Sequence, residues 1–201
     1  MTTGSVSPRR ADTRRNHERI LAVALESLTT SGDVSFNAIA RKAEVGVGTV
    51  YRHFPNPEAL VLAVYQREVR HLVEVVPTLL AANTPENAFR AWTGHLARYM
   101  MTKRGLAGAL RAATTSQEEL FASSFEAMHS AVATLLEAGV RAGSVRAGLD
   151  PLIVLRALSG LLHLNPGTDW QAQTDSLTDL LWTGMRADPA QAAPPVSVPA
   201  D

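Results

Sequence analysis

Cysteine is absent from the 201 residues, which excludes a disulfide framework, a thiolate metal site and a thiol nucleophile. Aromatic residues are scarce at 5%, while alanine and leucine carry most of an apolar fraction of 46%. That balance favours helix over strand, and the apolar fraction is enough to bury a sizeable core. No apolar run reaches the roughly 18 residues of a membrane span. The early arginines are not followed by an apolar segment with a cleavage site, so no secretory leader is expected and a cytoplasmic location is the default. Net charge is zero, yet it is unevenly spread. Residues 1–54 hold eight Lys/Arg against five Asp/Glu, and residues 55–201 hold eleven against fourteen. The N-terminal part is therefore the end suited to a polyanion.

Catalytic patterns are missing too. The six histidines, His17, His53, His71, His95, His129 and His163, contain no His-x-x-x-His pair. His71 and Glu74 have the spacing used in two-metal carboxylate bundles, but the partner Glu-x-x-His is lacking, and the pair reads as a solvated helix face. No glycine-rich phosphate loop or nucleophile elbow is found. The chain is expected to be no enzyme and to need no metal or cofactor.

What is present is helical periodicity, and it predicts an all-α fold of about nine helices. Ile20, Leu21, Ala24, Leu25 and Leu28 stripe a helix over about 13–31, stopped by Gly32. Ser35 caps a short helix over about 36–43, and a tight turn leads to another over about 47–53. Asn56-Pro57 opens a helix to about Val76, before Pro77, and Thr84-Pro85 opens one to about Thr102. Further helices are expected over about 106–112, from the capping box at Ser116 to about Ala142, from Asp150-Pro151 to about Leu164, and over about 175–186. The expected organisation is a flexible basic arm (1–11), a small unit of three helices (12–56), a larger helical domain (57–187) and a disordered Pro/Ala tail (188–201).

Two short helices joined by a tight turn have the layout of a helix-turn-helix, whose second helix can enter the major groove. The string SFNAIARKAEVGVGTVYRHFPNPEAL, Ser35 to Leu60, closely resembles the signature of the TetR family of regulators, and the match covers roughly residues 14–62. The resemblance implies that the Thr49, Tyr51 and His53 positions touch DNA, and that Asn37 lies where the family often places a contacting side chain. The residues agree with it. Gly46 and Gly48 leave the start of the recognition helix uncluttered for a phosphate. Val47 suits a thymine methyl, and Arg52 suits a phosphate or guanine. Arg41 and Lys42 are candidate backbone contacts, and Arg9, Arg10, Arg14 and Arg15 form a basic arm. Val50 and Phe54 are expected in the core. Three residues depart from the family pattern: Glu44 stands where glycine is usual, Gly46 where a serine cap is common, and Pro57 where many members carry a phosphate-facing lysine.

Apolar stretches at residues 151–164 and 175–186 need more cover than one small domain offers, so these two helices are expected to form a homodimer interface, as the resemblance also implies. Phe89, Trp92, His95, Tyr99, Met100, Phe121, Phe125, Met128 and His129 gather bulky groups on the central helices, suited to a small hydrophobic effector. The expected function is that of a dimeric regulator, a repressor released from a palindromic operator by that effector. The competing expectation is a helical ligand- or protein-binding module that has lost DNA reading.

Overall fold

The computed structural model describes residues 8–30, 34–113, 117–165 and 167–187. Eight α-helices follow one another among them: α1 (Pro8–Thr30), α2 (Phe36–Lys42), α3 (Val47–His53), α4 (Pro57–Ala82), α5 (Pro85–Ala113), α6 (Gln117–Arg141), α7 (Pro151–Leu158) and α8 (Trp170–Met185). A 3-10 turn, Ser159–His163, extends α7. The fold is all-α, with no strand among the described residues. Among those residues no helix is long and apolar enough to cross a membrane. Ser116 and most of the expected arm and tail lie outside the described residues.

Contacts divide the chain into two compact units, one within residues 1–70 and 99–124, the other within 71–98 and 125–201. In the first, the α1 stripe is buried as its periodicity requires: Ile20, Leu21, Ala24 and Leu28 are all closed off from solvent. Phe36 and Ile39 of α2, Val50 of α3, Phe54, and Leu60, Val64 and Tyr65 of α4 are buried with them. Leu106 and Leu110 of α5 complete this core.

α1 starts at Pro8, five residues before the expected position, so residues 8–11 of the expected flexible arm are helical, and α4 and α5 run further than expected for one reason. Pro77 lies inside α4 rather than ending it. A mid-helix proline removes one hydrogen bond and crowds the carbonyl four residues back, at a cost of about 3 kcal/mol. The apolar stripe of Leu72, Val76, Leu79 and Leu80 continues past it, and the exposed Pro77 ring faces solvent. The buried Trp92 indole N–H also donates to the Leu72 carbonyl at 2.8 Å, just before the interruption. Likewise α5 is one helix where two were expected. Leu96, Tyr99, Thr102, Leu106 and Leu110 are buried at three- and four-residue spacing, so the stripe crosses Gly105 in phase.

In the second unit, α6 ends in a Schellman motif. Gly143 has φ +69°, its N–H donates to Val140, and Ser144 N–H donates to Gly139. The following residues then pair with the end of α8, Arg146 N–H donating to Met185 and Ala187 N–H to Ser144. Asp150 caps α7 by accepting from Leu152 N–H at 2.8 Å. The last helix starts at Trp170, five residues before the expected position, capped by Asp169. Its buried stripe is Thr174, Thr178, Trp182 and Met185.

Candidate nucleic-acid interface

Ser35 opens α2 as expected, its hydroxyl accepting from Ala38 N–H. The helix ends in a second Schellman motif: Val45 N–H donates to Ala40 and Glu44 N–H to Arg41. This geometry puts Glu44 at φ 52°, in the left-handed region that glycine adopts without penalty. Arg19 of α1 supports the turn. Its guanidinium donates to the carbonyls of Ala43 and Glu44 and lies 3.2 Å from the Glu44 carboxylate. The carboxylate pair is exposed and weak, and the backbone bonds do not need it. Glu44→Gly is therefore expected to stabilise the fold by somewhat under 1 kcal/mol, the relief of strain of about that size being offset in part by unfolded-state entropy. A urea titration at fixed pH checks this through a raised midpoint at unchanged slope.

The turn delivers α3 with one face inward and one outward. Val50 is fully buried and Phe54 nearly so, while Val47, Gly48, Tyr51 and Arg52 face solvent. Gly46 caps the helix without a side-chain bond, which leaves the first-turn amides unclaimed by a side chain. A Cβ on Gly48 would meet nothing within 4 Å, so the protein's own packing does not require that glycine. Tyr51 is 57% exposed, yet its ring packs edge-on against Phe36, centroids 4.9 Å apart. Arg52 folds back along the helix, donating to the Gly48 carbonyl at 3.3 Å and to the Thr49 hydroxyl at 2.9 Å.

Asn37, Arg41 and Lys42 are exposed on α2, which packs against α3. Lys42 lies 3.4 Å from the Glu26 carboxylate across an exposed pair. Of the basic arm, Arg14 and Arg15 are exposed on α1, and Arg15 is paired with Asp12. His53 is half-buried and joins a group that sequence reasoning missed. The His17 ring stacks on Phe54 at 5.1 Å and stands 5.3 Å from the His53 ring. Thr13, Arg14, His17 and His53 line a recess of about 310 Å³. The available signal was the position of His17, one turn before Ile20 and Leu21 on the packed side of α1. Burial, then His17, then Arg52 hold the His53 imidazole below its ordinary value.

The bulky residues of the central helices are distributed over both units. In the first, Tyr99 donates to the Tyr65 hydroxyl and Tyr65 to Ser124, each at 2.9 Å, and Ser124 donates on to the Leu120 carbonyl. Burial, reinforced by Tyr65, raises the Tyr99 phenol far above its ordinary range. Met100 is buried nearby in sequence, and Phe121 stands edge-on to Tyr65 with the Lys103 ammonium 4.1 Å above its ring. In the second unit Phe89 and Trp92 are buried, Phe89 lying 5.6 Å from the Trp182 ring. Met128 is buried, His95 and His129 are half-buried, and Phe125 is exposed. A separate recess of about 450 Å³ in that unit is lined by Leu136, Val140, Leu149 and Pro151 among others, with Glu137 and Arg141 at its edge.

Residues 20–64 match the model of bacterial regulatory proteins of the tetR family, and residues 84–187 match the C-terminal domain of SbtR-like transcriptional regulators. Among solved structures, the TetR transcriptional regulator SCO0520 from Streptomyces coelicolor is 38% identical with a TM-score of 0.77, covering 85% of this chain and 98% of its own. The TetR transcription regulatory protein from Mycobacterium vanbaalenii is 34% identical with a TM-score of 0.73, covering 90% of this chain and 100% of its own. The HTH-type transcriptional repressor KstR of Mycolicibacterium smegmatis is 32% identical over 90 residues, 43% of this chain and 44% of that protein. The chain thus spans about two fifths of the length of the curated relatives it matches. The regulators of this family pair a DNA-binding helix-turn-helix with a ligand-binding C-terminal domain, and both halves are matched here. The chain belongs to the TetR family of transcriptional regulators.

Proposed function

We propose that this regulator is a homodimeric repressor that reads a palindromic operator through α3 and leaves it when a small hydrophobic effector binds. The observation that carries the DNA-reading part is the outward face of α3. Val47, Gly48, Tyr51 and Arg52 stand exposed over a fully buried Val50, with the Tyr51 ring braced by Phe36. Apolar, hydroxyl and guanidinium groups on one short helix suit base edges and phosphates in a major groove. Asn37, Arg41 and Lys42 on α2 flank that face as backbone contacts, with Thr49 and His53 at its margin. The repressor sense draws on the name of one relative, the repressor KstR.

Dimerisation draws on α7 and α8. Ile153 is 56% and Leu180 70% exposed, an unusual outlay of large aliphatic surface for a helix pair. A two-fold pairing of these helices covers both and repeats the reading head on a second half-site, roughly 34–36 Å away along the groove. Effector contacts are proposed for Tyr99 and Phe121 within the first unit and for Phe89, Trp92, His95, Phe125, Met128 and His129 within the second. By linkage, effector and operator weaken each other's binding by the same factor.

The test is selection of bound duplexes from a random pool by the purified chain. An enriched inverted repeat is the expected result. No enrichment from folded, dimeric, ligand-stripped protein favours the competing reading, a module that has lost DNA recognition. Once the operator is in hand, His53 supplies a pH test. Free His53 is held below its ordinary value, and a phosphate seated against the His17–His53 recess raises it, so binding takes up a proton. Operator affinity is expected to rise as pH falls from about 8 to about 6, and His53→Asn to flatten that profile. Fluorescence anisotropy at constant ionic strength measures it.

A further inference from the structure

His71 of α4 and His95 of α5 bring two imidazole nitrogens face to face, His71 Nε2 lying 3.3 Å from His95 Nδ1. The ring centroids are 5.0 Å apart with planes at 68°. We propose that this pair chelates a divalent transition metal of the zinc or nickel type between the two helices. A zinc ion sits about 2.0–2.1 Å from an imidazole nitrogen, and two nitrogens at the observed separation then subtend close to a tetrahedral angle. The two donor nitrogens are therefore already at chelating separation. Only a modest turn of the rings is needed to aim both lone pairs at a common point beside the N···N axis.

The surroundings suit that role. His71 is exposed and His95 half-buried, so an ion has an open path to the pair. Glu74, three residues after His71 on α4, is exposed and does not join the two histidines as a third ligand. Water completes the set. One group opposes the ion: Arg98 Nη1 lies 3.4 Å from the same His95 Nδ1. Its exposed side chain can swing into solvent when the lone pair goes to metal. No group of three or more potential ligands occurs among the described residues, so the site has the character of a two-histidine chelate, not of a closed structural zinc centre. In the linear sequence His71-x-x-Glu74 lacked a partner. The fold instead brings a single histidine, His95, from 24 residues away.

The untagged full chain, stripped with EDTA and titrated with zinc sulfate in a calorimeter, tests the proposal independently of any DNA reading. One ion per chain is expected, with a melting temperature that rises as free zinc exceeds its dissociation constant. His71→Ala and His95→Ala are each expected to weaken zinc binding at least tenfold while keeping the helical far-UV spectrum. His163→Ala, which removes an exposed histidine elsewhere, is expected to bind like the parent. Absence of heat and of a melting shift overturns the site and leaves the pair as a hydrogen bond between the two rings. So does zinc binding that survives in both His71→Ala and His95→Ala.

Discussion

Replacing Thr49 and Tyr51 together with alanine is expected to weaken operator binding about a hundredfold, the product of two contacts near the lower end of the 1–3 kcal/mol range for groove readout. The dimer and the helical content stay intact, because neither side chain belongs to the core. Tyr51 is 57% exposed and Thr49 sits at the margin of the packed face, whereas the core of α3 is Val50. Two effects contribute beyond the lost hydroxyls. Thr49 accepts a hydrogen bond from Arg52 at 2.9 Å, so its removal frees the one guanidinium on this helix from its present position. Loss of the Tyr51 ring also uncovers Phe36, which it meets edge-on at 4.9 Å. Tyr51→Phe separates recognition from packing. It keeps the aromatic contact, so a hydroxyl that touches DNA makes this variant nearly as weak as Tyr51→Ala. A ring that only packs makes it equal to the parent. The readout is anisotropy with a labelled operator at several salt concentrations, where each lost phosphate contact lowers the salt slope by about one. Unchanged affinity in the double variant removes both residues from the interface and assigns operator reading to other side chains.

The helix-turn-helix was legible because its chemistry is local. The Ser35 cap, the α1 stripe and buried Val50 and Phe54 follow from spacing within a few residues, and the left-handed Glu44 from the glycine that the resemblance puts in its place. Elements whose fate depends on distant packing were harder to read. Pro77 reads as a helix stop, and only the stripe of Leu72 and Val76 continuing to Leu79 and Leu80 carries α4 through it. The first half of α8 was hidden for a different reason. Its buried stripe begins with Thr174 and Thr178, polar by composition but satisfied, since their hydroxyls donate to the carbonyls of Trp170 and Thr174 at 2.8 and 2.7 Å. A hydropathy pattern starts that helix at its leucines, several residues late. The same division holds for the site. Thr49, Tyr51 and Arg52 share one short helix and could be read together, whereas His17 meets His53 only because the fold brings that turn of α1 to the end of α3. His95 meets His71 from the next helix, a pairing no spacing in the sequence encodes.

Leu180→Glu is expected to make the chain monomeric at micromolar concentration and to lower operator affinity about a thousandfold, within the 10²–10⁴ range lost when two linked half-sites are uncoupled. Leu180 is the most exposed large aliphatic residue among those described, at 70%, on the side of α8 away from Thr174, Thr178, Trp182 and Met185. Leu177 and Leu181 beside it are half-buried, and a Cβ on exposed Gly184 would meet nothing within 4 Å, so this side of the helix is apolar and open to close approach. Ile153 offers the same character on α7, and a Cβ added at Gly160 would make only an ordinary contact with Leu177, at 3.5 Å. In an isologous interface a substitution is present in both subunits, so each dimer buries two added carboxylates, each one residue along from Asp179. Burying unpaired charge costs several kcal/mol per ion, enough to dissociate a pair held by apolar contact. The fold of each chain is untouched, because Leu180 makes little of its own chain's core. Sedimentation equilibrium reads the assembly, and binding to a full operator and to a single half-site reads the consequence. The variant should lose affinity for the full operator while matching the parent on the half-site. A variant that stays dimeric moves the interface off α8, and one that becomes monomeric without losing operator affinity shows that the two reading heads do not act as a pair.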